Sequence, residues 1–169
     1  MSVYSPDKLI AQARRLAADY RRGMGKPLPG VSAEIAEYDA SRLLNLELMD
    51  DRSIGYDAVG RDQWDGQRLL VKGRTIFDES KSGQRIGQLR MDKDWEAVLL
   101  VLMDEEYEPY EIYRLERREA EEYHRQASAS RRKRGALSVA RFKIIGQLVW
   151  TRENGLEPED GVWDNAAGS

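Results

Sequence analysis

Residues 53–77 read SIGYDAVGRDQWDGQRLLVKGRTIF, and our prediction of the fold starts from this stretch. Two runs of strand-forming residues flank the dipeptide Asp65-Gly66. An Asp-Gly pair between two such runs is a strong signal for the turn of a β-hairpin. The stretch therefore predicts two adjacent antiparallel strands near the middle of the chain.

A two-residue turn at this dipeptide fixes which side chains share a face of the hairpin. It places Val59 opposite Lys72, and it places Ala58 opposite Gly73. Because opposed side chains lie on one face and the period of a strand is two, Asp57 and Lys72 become diagonal neighbours on one face. Another turn with an even number of residues keeps this parity, whereas an odd loop or a bulge breaks it.

Helical periodicity precedes the hairpin, and apolar runs follow it. Apolar residues at helical spacing predict a helix over 7–22 and a second helix from Ser32 to about Leu46. The continuous apolar run DWEAVLLVLMD (94–104) predicts a buried strand, and EPYEIYRL (108–115) predicts its hairpin partner.

Two further helices are predicted after these strands. The charged stretch ERREAEEYHRQ (116–126) predicts an exposed helix. A last helix is predicted over 137–150, because apolar residues recur on one helical face. These residues are Val139, Phe142, Ile145, Leu148 and Val149. Consecutive strands between terminal helices favour an α+β fold with a mixed, largely antiparallel central sheet flanked by helices.

The composition is typical of one folded domain. The chain has 169 residues, of which 41% are hydrophobic and 34% charged. We assign residues 1–152 to a single domain and 153–169 to an acidic, flexible tail. No apolar run approaches the ~18 residues that a membrane span needs, and the N-terminus lacks a signal-peptide pattern. We therefore expect a cytoplasmic protein with no membrane contact.

The residue types that are missing restrict the chemistry. Cysteine is absent and His124 is the only histidine, which excludes thiolate zinc sites, cysteine nucleophiles and two-histidine metal motifs. A metal would need oxygen ligands, which favours Mg²⁺, Mn²⁺ or Ca²⁺. The net charge of −3 argues mildly against a nucleic-acid coating protein, but a local basic run is present. This run is Arg131, Arg132, Lys133 and Arg134.

Asp57 and Lys72, side by side at the end of a strand, can serve a hydrolytic site. The carboxylate can hold a divalent cation, and the lysine can orient a water molecule or neutralise a phosphate oxygen in the transition state. One carboxylate makes a weak Mg²⁺ site, and the second predicted helix offers Glu37 at the edge of its apolar stripe, with Glu34 further toward solvent. The alternatives are a surface ion pair and glutamates favoured by the helix dipole.

These elements resemble the PD-(D/E)xK nuclease-like superfamily, which includes restriction endonucleases and Holliday-junction resolvases. The resemblance consists of a helix carrying AEIAE (33–37), a strand with Asp57, a hairpin, and a strand carrying VKGR (71–74). It covers about residues 30–103. It implies a restriction-endonuclease-like core in which Mg²⁺ or Mn²⁺ activates a water that attacks a DNA phosphodiester.

The resemblance also implies roles for single residues. Asp57 matches the metal-binding aspartate, Lys72 the motif lysine, and Glu37 or Glu34 the helix glutamate of resolvase-like members. One position departs from the motif, because Leu70 stands two residues before Lys72, where the family has Glu or Gln. Some members carry that carboxylate on the helix, which suits Glu37, and others have lost catalysis and keep only binding.

Three hypotheses follow. The first is a Mg²⁺-dependent nuclease acting on DNA, in which the acids hold the metal and Arg74 and the run 131–134 contact phosphates. The second is a catalytically inactive nuclease-fold protein that binds DNA or protein, and Leu70 motivates it. The third is an interaction protein that forms a homodimer through the helix predicted over 137–150 or through the apolar strand. The basic run has its own alternative, a solvated loop.

Overall fold

The computed structural model describes residues 5–78, 84–126 and 137–158, and a seven-stranded sheet forms its framework. The helices are α1 (Pro6–Met24), α2 (Val31–Leu44), α3 (Arg117–Gln126) and α4 (Val139–Ile145), and a 3₁₀ turn covers Arg52–Ile54. The strands are β1 (Leu46–Leu48), β2 (Ala58–Gly60), β3 (Arg68–Thr75), β4 (Ala97–Met103), β5 (Pro109–Glu116), β6 (Gln147–Thr151) and β7 (Gly155–Leu156).

The strands lie side by side in chain order, from β1 at one edge to β7 at the other. Neighbouring strands run antiparallel except β3 and β4, which are parallel. The predicted α+β fold, with a mixed and largely antiparallel sheet flanked by helices, is confirmed. A parallel pair needs a long crossover connection. The described part of this crossover after residue 83, residues 84–96, packs against one face of the sheet.

β4 lies at the centre of the core because both of its faces are covered. Its sequence AVLLVLM is buried at every position, as expected for a strand with neighbours on both sides. Leu99 and Val101 pack with residues of α1 and α2 on one face. Val98 and Leu100 pack with α3, α4 and the crossover on the other face. The predictions of a buried strand here and of β5 as its antiparallel partner are confirmed.

The predicted Asp65-Gly66 turn exists, but within a longer connection between β2 and β3. Across this turn the Gln67 N–H donates to the Trp64 carbonyl oxygen at 2.9 Å. The chain first folds Trp64 into the core, where the residue is 7% exposed. Burial of this indole is the reason why the connection takes up residues 61–66 rather than two residues.

The longer connection changes the pairing of β2 with β3. Ala58 pairs with Leu69, so its predicted pairing with Gly73 is wrong. The predicted pairing of Val59 with Lys72 is wrong for the same reason. Because the connection still has an even number of residues, the assignment of side chains to the two faces is unchanged.

The last predicted helix is wrong in its second half. α4 ends at Ile145, and the residues after Gly146 form β6, so Leu148 and Val149 lie in a strand. A short apolar run does not distinguish helix from strand by periodicity alone. The structure changes from helix to strand at Gly146. The position favours glycine, because an added Cβ there would lie 2.8 Å from the Phe142 carbonyl oxygen.

The sheet continues beyond the predicted domain boundary. β7 pairs with β6 through Trp150 and Leu156, and the Glu157 N–H donates to a carbonyl oxygen of β6 at 2.8 Å. This part of the predicted tail (153–169) therefore belongs to the folded domain. Residues 159–169 lie outside the described residues.

Gly73 allows α2 to rest directly on β3. An added Cβ would lie 2.4 Å from the Ala36 Cβ and 3.1 Å from the Ser32 carbonyl oxygen. We therefore expect Gly73→Ala to push α2 outward and to lower the free energy of unfolding by about 1–3 kcal/mol, measured by urea denaturation. Gly23→Ala, in α1 with nothing within 4 Å of the added Cβ, is the control and should change stability by less than ~1 kcal/mol. Equal stability of both variants would contradict the close packing.

Candidate active site

An open cavity of about 430 Å³ lies beside β3 where β2 separates from it. Its walls come from α2, from the segment that leads into β2, from β3 and from the crossover. The charged and amide side chains that line it are Glu37, Asp57, Lys72, Arg74, Gln88 and Arg90. The three predicted catalytic residues therefore line one cavity.

Asp57 lies at the point where β2 and β3 separate. Its N–H donates to the Leu69 carbonyl oxygen at 2.9 Å, and its Oδ2 accepts from the Val71 N–H at 2.8 Å. The carboxylate thus replaces a backbone acceptor where the ladder ends. On this side the rest of β3 has no paired strand among the described residues, and the cavity opens along that edge.

Glu37 enters the cavity from α2 and is only 6% exposed. Carboxylates are seldom buried to this extent unless charged or hydrogen-bonding groups surround them. A place in the first turns of a helix does not by itself require burial, so the helix dipole does not account for this residue. Glu34 is exposed and does not line the cavity, so the structure brings Glu37 rather than Glu34 to the lysine.

Lys72 is half-buried among these charges. Burial is the largest cause that lowers the pKa of its ammonium below the ordinary lysine value of 10.5. Asp57 raises this pKa and Arg74 lowers it, and weaker effects come from Arg90, which lowers it, and Glu37, which raises it. An amine whose charged form is disfavoured can exchange a proton nearer to neutral pH, as groups at catalytic sites commonly do.

Arg74 is tied to the backbone beside Lys72. Its Nε donates to the Arg85 carbonyl oxygen at 2.8 Å, and its Nη1 donates to the Gly73 carbonyl oxygen at 2.6 Å. Burial lowers the pKa of this guanidinium. These contacts fix the orientation of a positive charge in the cavity wall. The other predicted phosphate contacts lie outside the described residues: Arg131, Arg132, Lys133 and Arg134.

The metal-ligand set of the cavity is small. Leu70, at the motif position, is 7% exposed and packs in the core cluster on the face of the crossover. The described ranges contain no group of three or more Asp, Glu or His side chains placed to hold a metal ion. Mg²⁺ commonly uses one or two carboxylates together with waters and substrate phosphates. Asp57 and Glu37 provide two carboxylates at one cavity, so their residue types fit this donor set.

Sequence patterns alone miss Gln88 and Arg90. Both residues come from the crossover between β3 and β4, and no local motif marks them. The signal that could have found them is topological. A parallel pairing of β3 with β4 requires the intervening chain to cross one face of the sheet, which carries it past the end of β3.

Two comparisons of the sequence with known proteins give no relative. A scan against protein-family models finds no match to the chain, and a search of the curated proteins finds no similar sequence. The resemblance to PD-(D/E)xK nucleases therefore stays a prediction from residues 30–103. In the part of the chain that the structure describes, no helix has the length and apolar character needed to cross a membrane.

Proposed function

We propose that this chain is a metal-dependent, nuclease-like hydrolase of DNA phosphodiester bonds. The observation that carries the proposal is that Glu37, Asp57 and Lys72 reach one open cavity from three parts of the chain. Two acids beside a lysine of lowered pKa are groups that phosphodiester hydrolysis can use. A surface ion pair requires neither a cavity nor a buried glutamate.

Each residue has a separate role in this proposal. Asp57 and Glu37 would hold Mg²⁺ or Mn²⁺, which when bound supplies Lewis acidity and a more acidic water. Lys72 orients the attacking water and compensates the negative charge that develops on the phosphate. Arg74, fixed by its backbone hydrogen bonds, binds a phosphate oxygen.

DNA is the proposed partner, and the cytoplasm is the proposed compartment. The basic run 131–134 is proposed to contact further phosphates, where each lysine or arginine would add to the salt dependence of binding. A homodimer stays a prediction. Sedimentation velocity at several protein concentrations would detect it as a concentration-dependent increase in the sedimentation coefficient.

Asp57→Asn is expected to lower Mg²⁺-dependent cleavage of DNA at least about 100-fold while leaving the fold intact. Asparagine removes the negative charge but keeps a side-chain oxygen that can accept the Val71 N–H. Cleavage of a labelled duplex and a labelled single strand would be followed across a Mg²⁺ titration. Asp65→Asn, at the exposed turn, is the matched control and should cleave at the wild-type rate. Equal rates for the two variants would remove the hydrolase proposal.

A second candidate function is binding of DNA or protein without catalysis. Leu70 favours it, because an apolar side chain stands where the motif places a carboxylate or amide. Product formation that depends on Mg²⁺ and is lost in Asp57→Asn supports the hydrolase. Salt-dependent DNA binding with no product at any Mg²⁺ or Mn²⁺ concentration supports the binding module.

A further inference from the structure

The crossover segment, residues 84–95, is held at its beginning by one side-chain and two backbone hydrogen bonds. The Gln84 side-chain amide donates to the Thr75 carbonyl oxygen at 2.8 Å, at the end of β3. The Ile86 N–H donates to the Leu137 carbonyl oxygen at 3.0 Å, and the Val139 N–H donates to the Gln84 carbonyl oxygen at 2.9 Å. These bonds tie the segment to β3 and to the start of α4.

The end of the crossover segment is fastened more tightly. Trp95 is fully buried, and its indole N–H donates to the Arg90 carbonyl oxygen at 2.7 Å. The guanidinium of Arg117 lies 4.8 Å from the centre of a Trp95 ring and donates to the carbonyl oxygens of Met91, Lys93 and Trp95. The main chain on the C-terminal side of Arg90 is therefore held in one position.

The side chain of Arg90, unlike its main chain, does not hold the crossover segment in place. It is exposed, it lines the cavity, and its charge acts on Lys72. Within the described part of the chain, no ion pair involves it. The hydrogen bonds that hold this residue in the fold go to its carbonyl oxygen. A cation on a fixed main chain beside a hydrolytic cavity loses little conformational freedom when it binds an anion.

We propose that Arg90 is a phosphate-binding residue of this cavity, which together with Arg74 holds the backbone of the bound nucleic acid strand. This inference rests on the proposed function, because it takes the occupant of the cavity to be a nucleic acid. The guanidinium matches the geometry of a phosphodiester anion and binds it with charge-assisted hydrogen bonds. Phosphate contacts position a strand without reading its sequence. The effect of Arg90 should therefore be the same for different DNA sequences.

The test is DNA binding by fluorescence anisotropy at several salt concentrations, with oligonucleotides of unrelated sequence. We expect Arg90→Ala to bind all of them about tenfold more weakly than wild type. The slope of log affinity against log salt should fall by about 1. Arg15→Ala is the control, because the Arg15 side chain is 87% exposed on α1 and does not line the cavity, and it should match wild type. Thermal unfolding of Arg90→Ala should also match wild type.

The outcomes separate this inference from the function on which it rests. If wild-type protein binds DNA and Arg90→Ala keeps the same affinity and the same slope of log affinity against log salt, the proposed role of Arg90 is overturned. The proposed function is not affected by that result. An effect of Arg90→Ala on one sequence only also overturns the proposed role of Arg90, since that indicates a base contact. Wild-type protein with no salt-dependent DNA binding overturns the proposed function and this inference together.

Discussion

Replacing Lys72 with methionine is expected to lower the rate of DNA cleavage by a factor of about 10²–10⁴ and, at the same time, to raise the melting temperature. Under the proposed function, the rate falls because the variant lacks the group that we propose to orient water and to compensate the charge on the phosphate. The stability rises because burial disfavours the ammonium in the folded state, and methionine has similar length without the charge. It would pack beside Leu70 in the same strand.

The pH dependence of stability gives this prediction a second readout. The pKa of Lys72 is lowered in the folded state, so between that value and the ordinary 10.5 the unfolded chain binds more protons than the folded chain. The free energy of unfolding of wild type therefore gains a contribution as pH rises through this window. Lys72→Met lacks the contribution. The stability advantage of the variant should therefore be largest at neutral pH and should narrow in alkaline solution.

Measuring cleavage rates and thermal unfolding on the same preparations tests both predicted effects of Lys72→Met. Lys72→Arg is the matched control, because it keeps the charge but replaces a compact ammonium with a planar guanidinium. It should be as inactive as Lys72→Met without the gain in melting temperature. A Lys72→Met protein that is less stable and cleaves like wild type would show that Lys72 is only a structural partner of Asp57.

Replacing Asp39 with alanine is expected to lower the free energy of unfolding by about 3–5 kcal/mol. Asp39 is fully buried, and both of its oxygens accept from Arg14, at 2.9 and 2.8 Å. Arg14 also donates to the Tyr107 carbonyl oxygen, and its Nε lies 3.3 Å from Glu108. The pair joins α1, α2 and the β4–β5 turn, and its loss would leave a guanidinium that is 11% exposed without its main partner.

Urea denaturation monitored by circular dichroism would measure this loss. Asp19→Ala is the control, since Asp19 forms an exposed pair with Arg15 one helical turn away, and we expect a change of less than about 0.5 kcal/mol. The double variant Arg14→Met with Asp39→Leu should recover much of the stability, because an apolar pair can replace a buried ion pair. A loss for Asp39→Ala no larger than that for Asp19→Ala would contradict the prediction.

Prediction from the sequence succeeded where local pattern and tertiary structure impose the same answer. The seven apolar residues of β4 fit a strand that is covered on both faces, and no competing structure buries them as well. The placement of Asp57 with Lys72 depends only on an even number of residues in the connection. A different register therefore left these two residues at one cavity.

Prediction failed where a distant part of the chain decides the local structure. The β2–β3 connection is longer than predicted because the Trp64 indole packs in the core. No sequence pattern within the hairpin indicates that the core has room for this side chain. The residues after Gly146 become a strand because β5 offers an unpaired edge. Arg90 reaches the cavity because β3 and β4 are parallel, which is a property of the whole sheet.

The contact of α2 with β3 at Gly73 has a consequence for turnover. Ala36 and Gly73 are in contact, and their sequence neighbours Glu37 and Lys72 are the acid and the amine of the proposed site. The distance between α2 and β3 at this point is therefore set by the Ala36 methyl group, which lies directly against the main chain of Gly73. This contact cannot become shorter. A larger side chain at either contact position would spread the two layers and draw the carboxylate away from the ammonium, so that catalytic efficiency would fall in a molecule whose strands all remain paired.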